Sequence, residues 1–272
     1  MAKLVGMQVP RRLLLVALAL AVALAAVAPA SASAAGAYND FDCKPSRAHP
    51  LPVVLVHGTF ANAQLNWVYI GPRLVRSGYC VFALDYGVRN GVGATEDIRK
   101  SAAELRAYVN RVRRATGAKQ VQIVGHSQGG MMPRYYLRFL GGARYTEELV
   151  ALAPSNHGTR TAEGVPYSGC PACAQQATNS SFLRKLNRGR EVEKGVDYTV
   201  IQTRLDTTIV PYTSAFLDGP RAQVTNVLLQ RACPRNVSTH VTVAVDPVVV
   251  QWIRNALERT GPANPRFRPR CS

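Results

Sequence analysis

The chain has 272 residues, 47% of them hydrophobic, and a formal charge of +17 from 33 Lys and Arg against 16 Asp and Glu. That length is ample for a buried core, and the basic residues are scattered with no nucleic-acid motif beside them, which excludes a nucleic-acid reader. The charge instead favours solubility and attraction to anionic surfaces such as lipid headgroups or wall polymers.

Lys3, Arg11 and Arg12 precede an unbroken apolar run of 16 residues from Leu13 to Ala28, and Pro29 leads into Ala30-Ser31-Ala32-Ser33-Ala34. A basic start, an apolar middle and Ala-x-Ala sites are the parts of a secretory signal peptide. The run falls short of the ~18 residues of a membrane span, and the Arg pair alone does not make a twin-arginine signal. Residues 1–34 are therefore expected to be a signal peptide. Residues 35–272 are expected to form a single α/β domain of a secreted, extracellular protein without stable membrane insertion. Losing the three leading charges leaves +14 of the +17.

Beyond the signal, strand-like and helix-like segments alternate. Pro52–Val56 is short, apolar and β-branched, as expected of a strand buried on both faces. Tyr79–Leu84, Gln120–Val124, Leu149–Leu152, Tyr198–Gln202 and Val224–Gln230 read as further strands. Between Thr95 and Thr116 the residues Ile98, Ala102, Leu105, Val109 and Val112 recur at helical spacing, and Gly117 supplies the stop. A last helix follows Asp246-Pro247, an acidic cap with proline in the first turn. This alternation predicts a mostly parallel sheet with helices on both faces. Residues 160–180, rich in Gly, Ser, Pro, Ala and Gln, read as the one extended loop.

All six cysteines lie in the exported part, and an even count there argues for disulfides, with about 15 connectivities open. A sequential scheme is preferred: Cys43–Cys80 for the N-terminal arm, Cys170–Cys173 for a tight loop, and Cys233–Cys271 for an aperiodic tail that would otherwise fray.

Gln120–Val124 runs straight into Gly125-His126-Ser127-Gln128-Gly129-Gly130 and then a helix-like segment. This is a G-x-S-x-G nucleophile elbow in the strand–turn–helix context it requires, with Pro133 as a candidate kink. Acyl transfer also needs N–H donors aimed at the oxyanion. Gln128, the residue after the nucleophile, offers one. The loop His57-Gly58-Thr59-Phe60 offers the other, from Thr59 with its hydroxyl as a further donor, or from Phe60 as the fallback. A serine hydroxyl needs a base held by an acid, and in this chain order the acid and then the histidine follow the serine. Only His157 and His240 follow it; His240, between the last strand and the last helix, is preferred. Asp206, after the Tyr198–Gln202 strand, is the preferred acid, whereas Asp218-Gly219-Pro220 reads as a turn.

These motifs resemble those of the secreted bacterial class 2 lipases of the α/β-hydrolase superfamily. The likeness runs through Val54-Leu55-Val56-His57-Gly58-Thr59, Gly125–Met131, Leu152-Ala153-Pro154-Ser155-Asn156-His157-Gly158-Thr159, Asp206–Tyr212 and Ser238-Thr239-His240. It implies an α/β-hydrolase fold, cleavage of acylglycerols and other carboxylic esters, a triad falling on Ser127, Asp206 and His240, and no organic cofactor. Some relatives use calcium, but no oxygen-ligand spacing is recognisable, so no metal is expected. The expected partner is an ester or acylglycerol at a lipid–water interface, met by a monomer. A short-chain or polyester- or cutin-directed esterase and an acyltransferase share the same triad. Cys170-Pro171-Ala172-Cys173 also matches a thiol–disulfide motif, but outside any clear βαβ unit a structural staple is favoured. Phe60, Trp67, Met131, Met132 and Tyr167 are candidate cleft residues, although such side chains more often fill a core.

Overall fold

A computed structural model describes residues 38–271; the expected signal peptide lies outside the described residues. The apolar runs form six strands: β1 (Val53–Val56), β2 (Val81–Leu84), β3 (Val121–His126), β4 (Thr146–Leu152), β5 (Asp197–Gln202) and β6 (Val224–Leu228). The helices are α1 (Ala63–Asn66), α2 (Ile70–Arg76), α3 (Ile98–Thr116), α4 (Gln128–Phe139), α5 (Pro171–Gln175), α6 (Ser181–Asn187), α7 (Leu229–Ala232) and α8 (Pro247–Leu257).

All strand pairs are parallel, and the sheet order is β2-β1-β3-β4-β5-β6. Alternate strand residues point to opposite faces, and both faces are covered. Val54, Val56, Ile123 and Val200 pack with Ile98, Leu105 and Val109 of α3, Met131 and Met132 of α4 and Leu183 of α6. Val53, Leu55, Val124 and Ile201 pack with Ile70 and Leu74 of α2 and Val249, Trp252 and Ile253 of α8. The strand order reverses between β1 and β3, and in open parallel sheets ligands bind beyond the strand ends at such a reversal.

Local signals explain the long helices. Asp97 caps α3 by accepting the Arg99 N–H, and Gly117 closes it in left-handed backbone at φ 75°. Asp246 caps α8 by accepting the Val248 N–H, with Pro247 in the first turn. Asparagines stand at both sheet margins. Asn39 donates its N–H to Val81 O and accepts the Ala83 N–H at Oδ1, along β2. On β6, Asn226 Oδ1 accepts the Leu217 N–H while Nδ2 donates to Leu217 O.

Two readings are corrected. The last strand ends at Leu228, and Leu229–Ala232 turn into α7 instead of extending it to Gln230. Residues 160–180 are not one loop: a 3-10 turn occupies Arg160–Ala162 and α5 follows, with Cys170 as its N-cap. Disulfides join Cys43 to Cys80, Cys170 to Cys173 and Cys233 to Cys271. The tail is held by more than its disulfide. Phe267 packs edge-on against Trp252 at 5.0 Å, and the buried Ala263 N–H donates to Thr199 Oγ1. Among the described residues no helix is long and apolar enough to cross a membrane.

Candidate active site

Ser127 sits between β3 and α4 at φ 57° and ψ −124°. That backbone is strained for a residue with a Cβ, and the surroundings hold it. Its N–H donates to Leu152 O at 2.8 Å, and its carbonyl accepts the Gly130 N–H at 2.9 Å. The flanking glycines are a steric requirement. A Cβ on Gly125 would stand 1.8 Å from Gly129 O, and one on Gly129 would stand 2.1 Å from Val56 O. Pro133 is accommodated within α4, which runs to Phe139.

His240 Nε2 lies 2.9 Å from Ser127 Oγ, and His240 Nδ1 lies 2.9 Å from Asp206 Oδ2. With Nδ1–H donated to the carboxylate, Nε2 is left as an acceptor for the serine hydroxyl. The other carboxylate oxygen, Asp206 Oδ1, accepts the N–H groups of Thr208 and Ile209, each at 2.8 Å. All three side chains are buried. The competitors stand elsewhere. His157 is engaged at both nitrogens, by Glu191 Oε1 at 2.6 Å and Ser214 O at 2.9 Å, and the Glu191 bond raises its pKa. Asp218 is exposed and offers its own N–H to Glu191.

Two further histidines brace the site. His126 Nε2 lies 2.8 Å from the His240 carbonyl oxygen and its Nδ1 2.9 Å from Asn66 Oδ1, which accepts the Gly58 N–H; a neutral ring donates to one of the two oxygens. Burial pushes the His126 pKa down to about 3, so the ring is neutral beside His240. His57 is fully buried, stacks on Tyr86 at 4.5 Å and donates from Nδ1 to Gly58 O; burial lowers its pKa as well. The Tyr86 hydroxyl donates to the His57 carbonyl at 2.7 Å. Asn66 and Tyr86 carry no motif, and only their distance in the fold, not in the sequence, reveals them.

The Thr59 loop faces the N-terminus of α4. Among the described residues the Thr59 and Gln128 N–H groups donate no intramolecular hydrogen bond, whereas the Phe60 N–H is committed to Gly93 O at 3.0 Å. The Thr59 hydroxyl is also committed, donating to Gln128 Oε1 at 2.8 Å, so it is not a free donor. Gln176 Nε2 completes this cluster at 3.0 Å from Thr59 Oγ1 and 2.9 Å from Gln128 Oε1.

Two clefts meet at Ser127, His240 and Thr59. One, of about 420 Å³, is bounded by Phe60, Ala162, Val165, Cys170, Cys173 and Ile209. The other, of about 270 Å³, is bounded by Ala61, Leu65, Val241, Ala244 and Val245. Of the candidate cleft aromatics and methionines, Phe60 lines the larger cleft, whereas Trp67, Met131 and Met132 are fully buried in the core. Tyr167 is half exposed and donates its hydroxyl to Asp97.

Comparison with known proteins sets the chain beside lipases. The chain is 32% identical to a triacylglycerol lipase of Pseudarthrobacter phenanthrenivorans over 123 residues, covering 43% of this chain and 34% of that protein. It is 28% identical to a triacylglycerol lipase of Pseudomonas fragi over 151 residues, covering 50% and 47%. The aligned part thus spans a third to a half of the length of these relatives. Among solved structures, Aspergillus fumigatus lipase B superposes with a TM-score of 0.69 at 25% identity, over 79% of this chain and 54% of that one. Bacillus licheniformis lipase BlEst2 in its mature form superposes at 0.60 with 15% identity, over 80% and 96%, which shows a shared fold. The family described as lipase (class 2) matches residues 50–253, three quarters of the sequence, and the chain belongs to that family in its α/β-hydrolase fold.

Proposed function

We propose that this protein is a secreted carboxylic ester hydrolase, a triacylglycerol lipase, that works through an acyl-enzyme on Ser127. The observation that carries this reading is the hydrogen-bonded line Ser127–His240–Asp206, 2.9 Å at each step, at the junction of two largely apolar clefts. His240 takes the Ser127 proton as Oγ attacks the ester carbonyl. Asp206 holds the imidazole tautomer and stabilises its charged form. The Thr59 and Gln128 N–H groups bind the oxyanion, helped by the dipole of α4. The proton then passes from His240 to the leaving alcohol, and a water deprotonated by His240 releases the acid.

Two clefts sharing the nucleophile let an ester lie with its acyl part on one side and its alcohol on the other. Exposed Phe60, Leu65 and Val241 at their margins suit an apolar, interfacial substrate. Disulfides suit an oxidising compartment, and residues 1–34 supply the export signal. The test is hydrolysis of p-nitrophenyl esters of rising chain length and of a triglyceride emulsion, with Ser127→Ala as the blank. Turnover that Ser127→Ala abolishes is expected; no ester cleavage by folded wild type would refute the reading.

A further inference from the structure

Gln176 caps the C-terminal end of α5 and is buried. Its amide nitrogen reaches three acceptors, Thr59 Oγ1 at 3.0 Å, Gln128 Oε1 at 2.9 Å and Ala172 O at 3.2 Å. Its amide oxygen accepts the Ser155 hydroxyl at 2.8 Å. Because Thr59 Oγ1 also donates to Gln128 Oε1, the three side chains close a ring of hydrogen bonds. They come from three separate segments: the loop after β1, the first turn of α4 and the end of α5. The ring uses side-chain atoms and leaves the Thr59 and Gln128 main-chain N–H groups unspent. Those are the two groups whose spacing an oxyanion depends on.

The platform beneath Gln176 is tied down. Its N–H donates to Ala172 O and Cys173 O, within the turn that the Cys170–Cys173 disulfide closes. That disulfide borders the same cleft as Ser127. Burial of an amide with its donors and acceptor all matched is favourable, and removing one partner strands the others.

We propose that Gln176 is a positioning residue for ester hydrolysis: through the side chains of Thr59 and Gln128 it fixes the oxyanion-binding N–H pair, and the Cys170–Cys173 staple fixes Gln176. This rests on the assignment of Thr59 and Gln128 given under the proposed function. The chemistry explains why glutamine is needed. An amide of this length donates to Thr59 and Gln128 while accepting from Ser155, whereas a carboxylate would set three oxygens against one another.

The experiment is steady-state kinetics of Gln176→Glu and Gln176→Leu on p-nitrophenyl acetate and p-nitrophenyl octanoate. Misplacing catalytic groups by about 1 Å costs about 10²-fold, so kcat is expected to fall between about 10- and 100-fold. The factor should be the same for both chain lengths, with KM changed less than about threefold. Gln176→Glu should recover relative to wild type as pH falls and the introduced carboxyl regains a proton to donate. Gln176 also borders the cleft, so a change in KM or in chain-length preference at unchanged kcat would overturn the proposal in favour of a steric role. Should the Gln176 variants fail to fold, Thr59→Val, which keeps the N–H and loses the hydroxyl, must show the same kcat loss, with Thr59→Ser restoring it; wild-type kcat in Thr59→Val overturns the proposal. Turnover by wild type that Ser127→Ala abolishes, together with unimpaired variants, sinks this inference alone. Absence of wild-type turnover sinks the ester-hydrolase reading and this inference with it.

Discussion

Phe60 stands in left-handed backbone, φ 63°, with its ring two-thirds exposed at the larger cleft. An L-residue pays about 1–2 kcal/mol for that conformation, and here it aims the Phe60 N–H at Gly93 O while leaving the Thr59 N–H unpaired. Phe60→Gly should therefore raise the urea midpoint, by about 1 kcal/mol in stability, whereas Phe60→Ala, which keeps the strain, should not. At the same scale, Asp206→Asn should lower kcat about 10⁴-fold while KM changes little, because the imidazole is left in the wrong tautomer; stopped-flow or steady-state assays read it directly. The meeting of Ser127, Asp206 and His240 was legible because the elbow has a steric signature and chain order leaves few candidates. Gln176, Asn66 and Tyr86 were not. Each makes contacts with segments distant in the chain, and no local spacing encodes such contacts.

At the scale of elements, β4 starts at Thr146, three residues before its apolar run begins. The hidden residues are polar: Glu147 accepts the Gln122 amide at 2.9 Å, and Glu148 is buried and accepts the Thr199 hydroxyl at 2.8 Å from the neighbouring strand. Alternation of apolar residues cannot show a strand whose inward positions carry a carboxyl group. Burial pushes the Glu148 pKa up to about 8. Its folded pKa is thus above its unfolded value near 4.5, and the folded state holds the proton more tightly. This group's contribution is complete below about pH 4.5 and is lost as pH rises to about 8. Glu148→Gln should remove that decline and stabilise the protein at pH 8 by on the order of 3 kcal/mol, measured by chemical denaturation across pH. The end of β6 was blurred for a different reason. Val227, Leu228 and Leu229 form one apolar run, and a run cannot distinguish a strand from the first turn of a helix. The turn brings Gln230 onto the Asp206 loop, where its Oε1 accepts the Arg204 N–H and its Nε2 donates to Thr203 Oγ1.

For the whole molecule, the fold class followed from the alternation of both-face-buried strands with amphipathic helices, and the sheet reversal placed the site. The Cys233–Cys271 disulfide closes a long loop, with a sequence separation of 38, and chain entropy assigns such a loop about 4 kcal/mol. The tail also packs through Phe267 and Ala263, so it remains docked in part without the bridge. Replacing both cysteines by serine should cost about 2–4 kcal/mol, seen as a lower denaturation midpoint with the tail becoming open to proteolysis.

The asparagine at the β2 margin of the sheet has a consequence for how copies of this protein meet. A side-chain amide is a peptide group without a chain attached. Asn39 sets its own on the outer rim of β2, where it accepts the Ala83 N–H. It satisfies part of that rim yet offers no onward template, so a stray strand from a neighbouring molecule finds fewer open partners there. Asn39→Ala should then self-associate at concentrations where the parent chain scatters light as a single species.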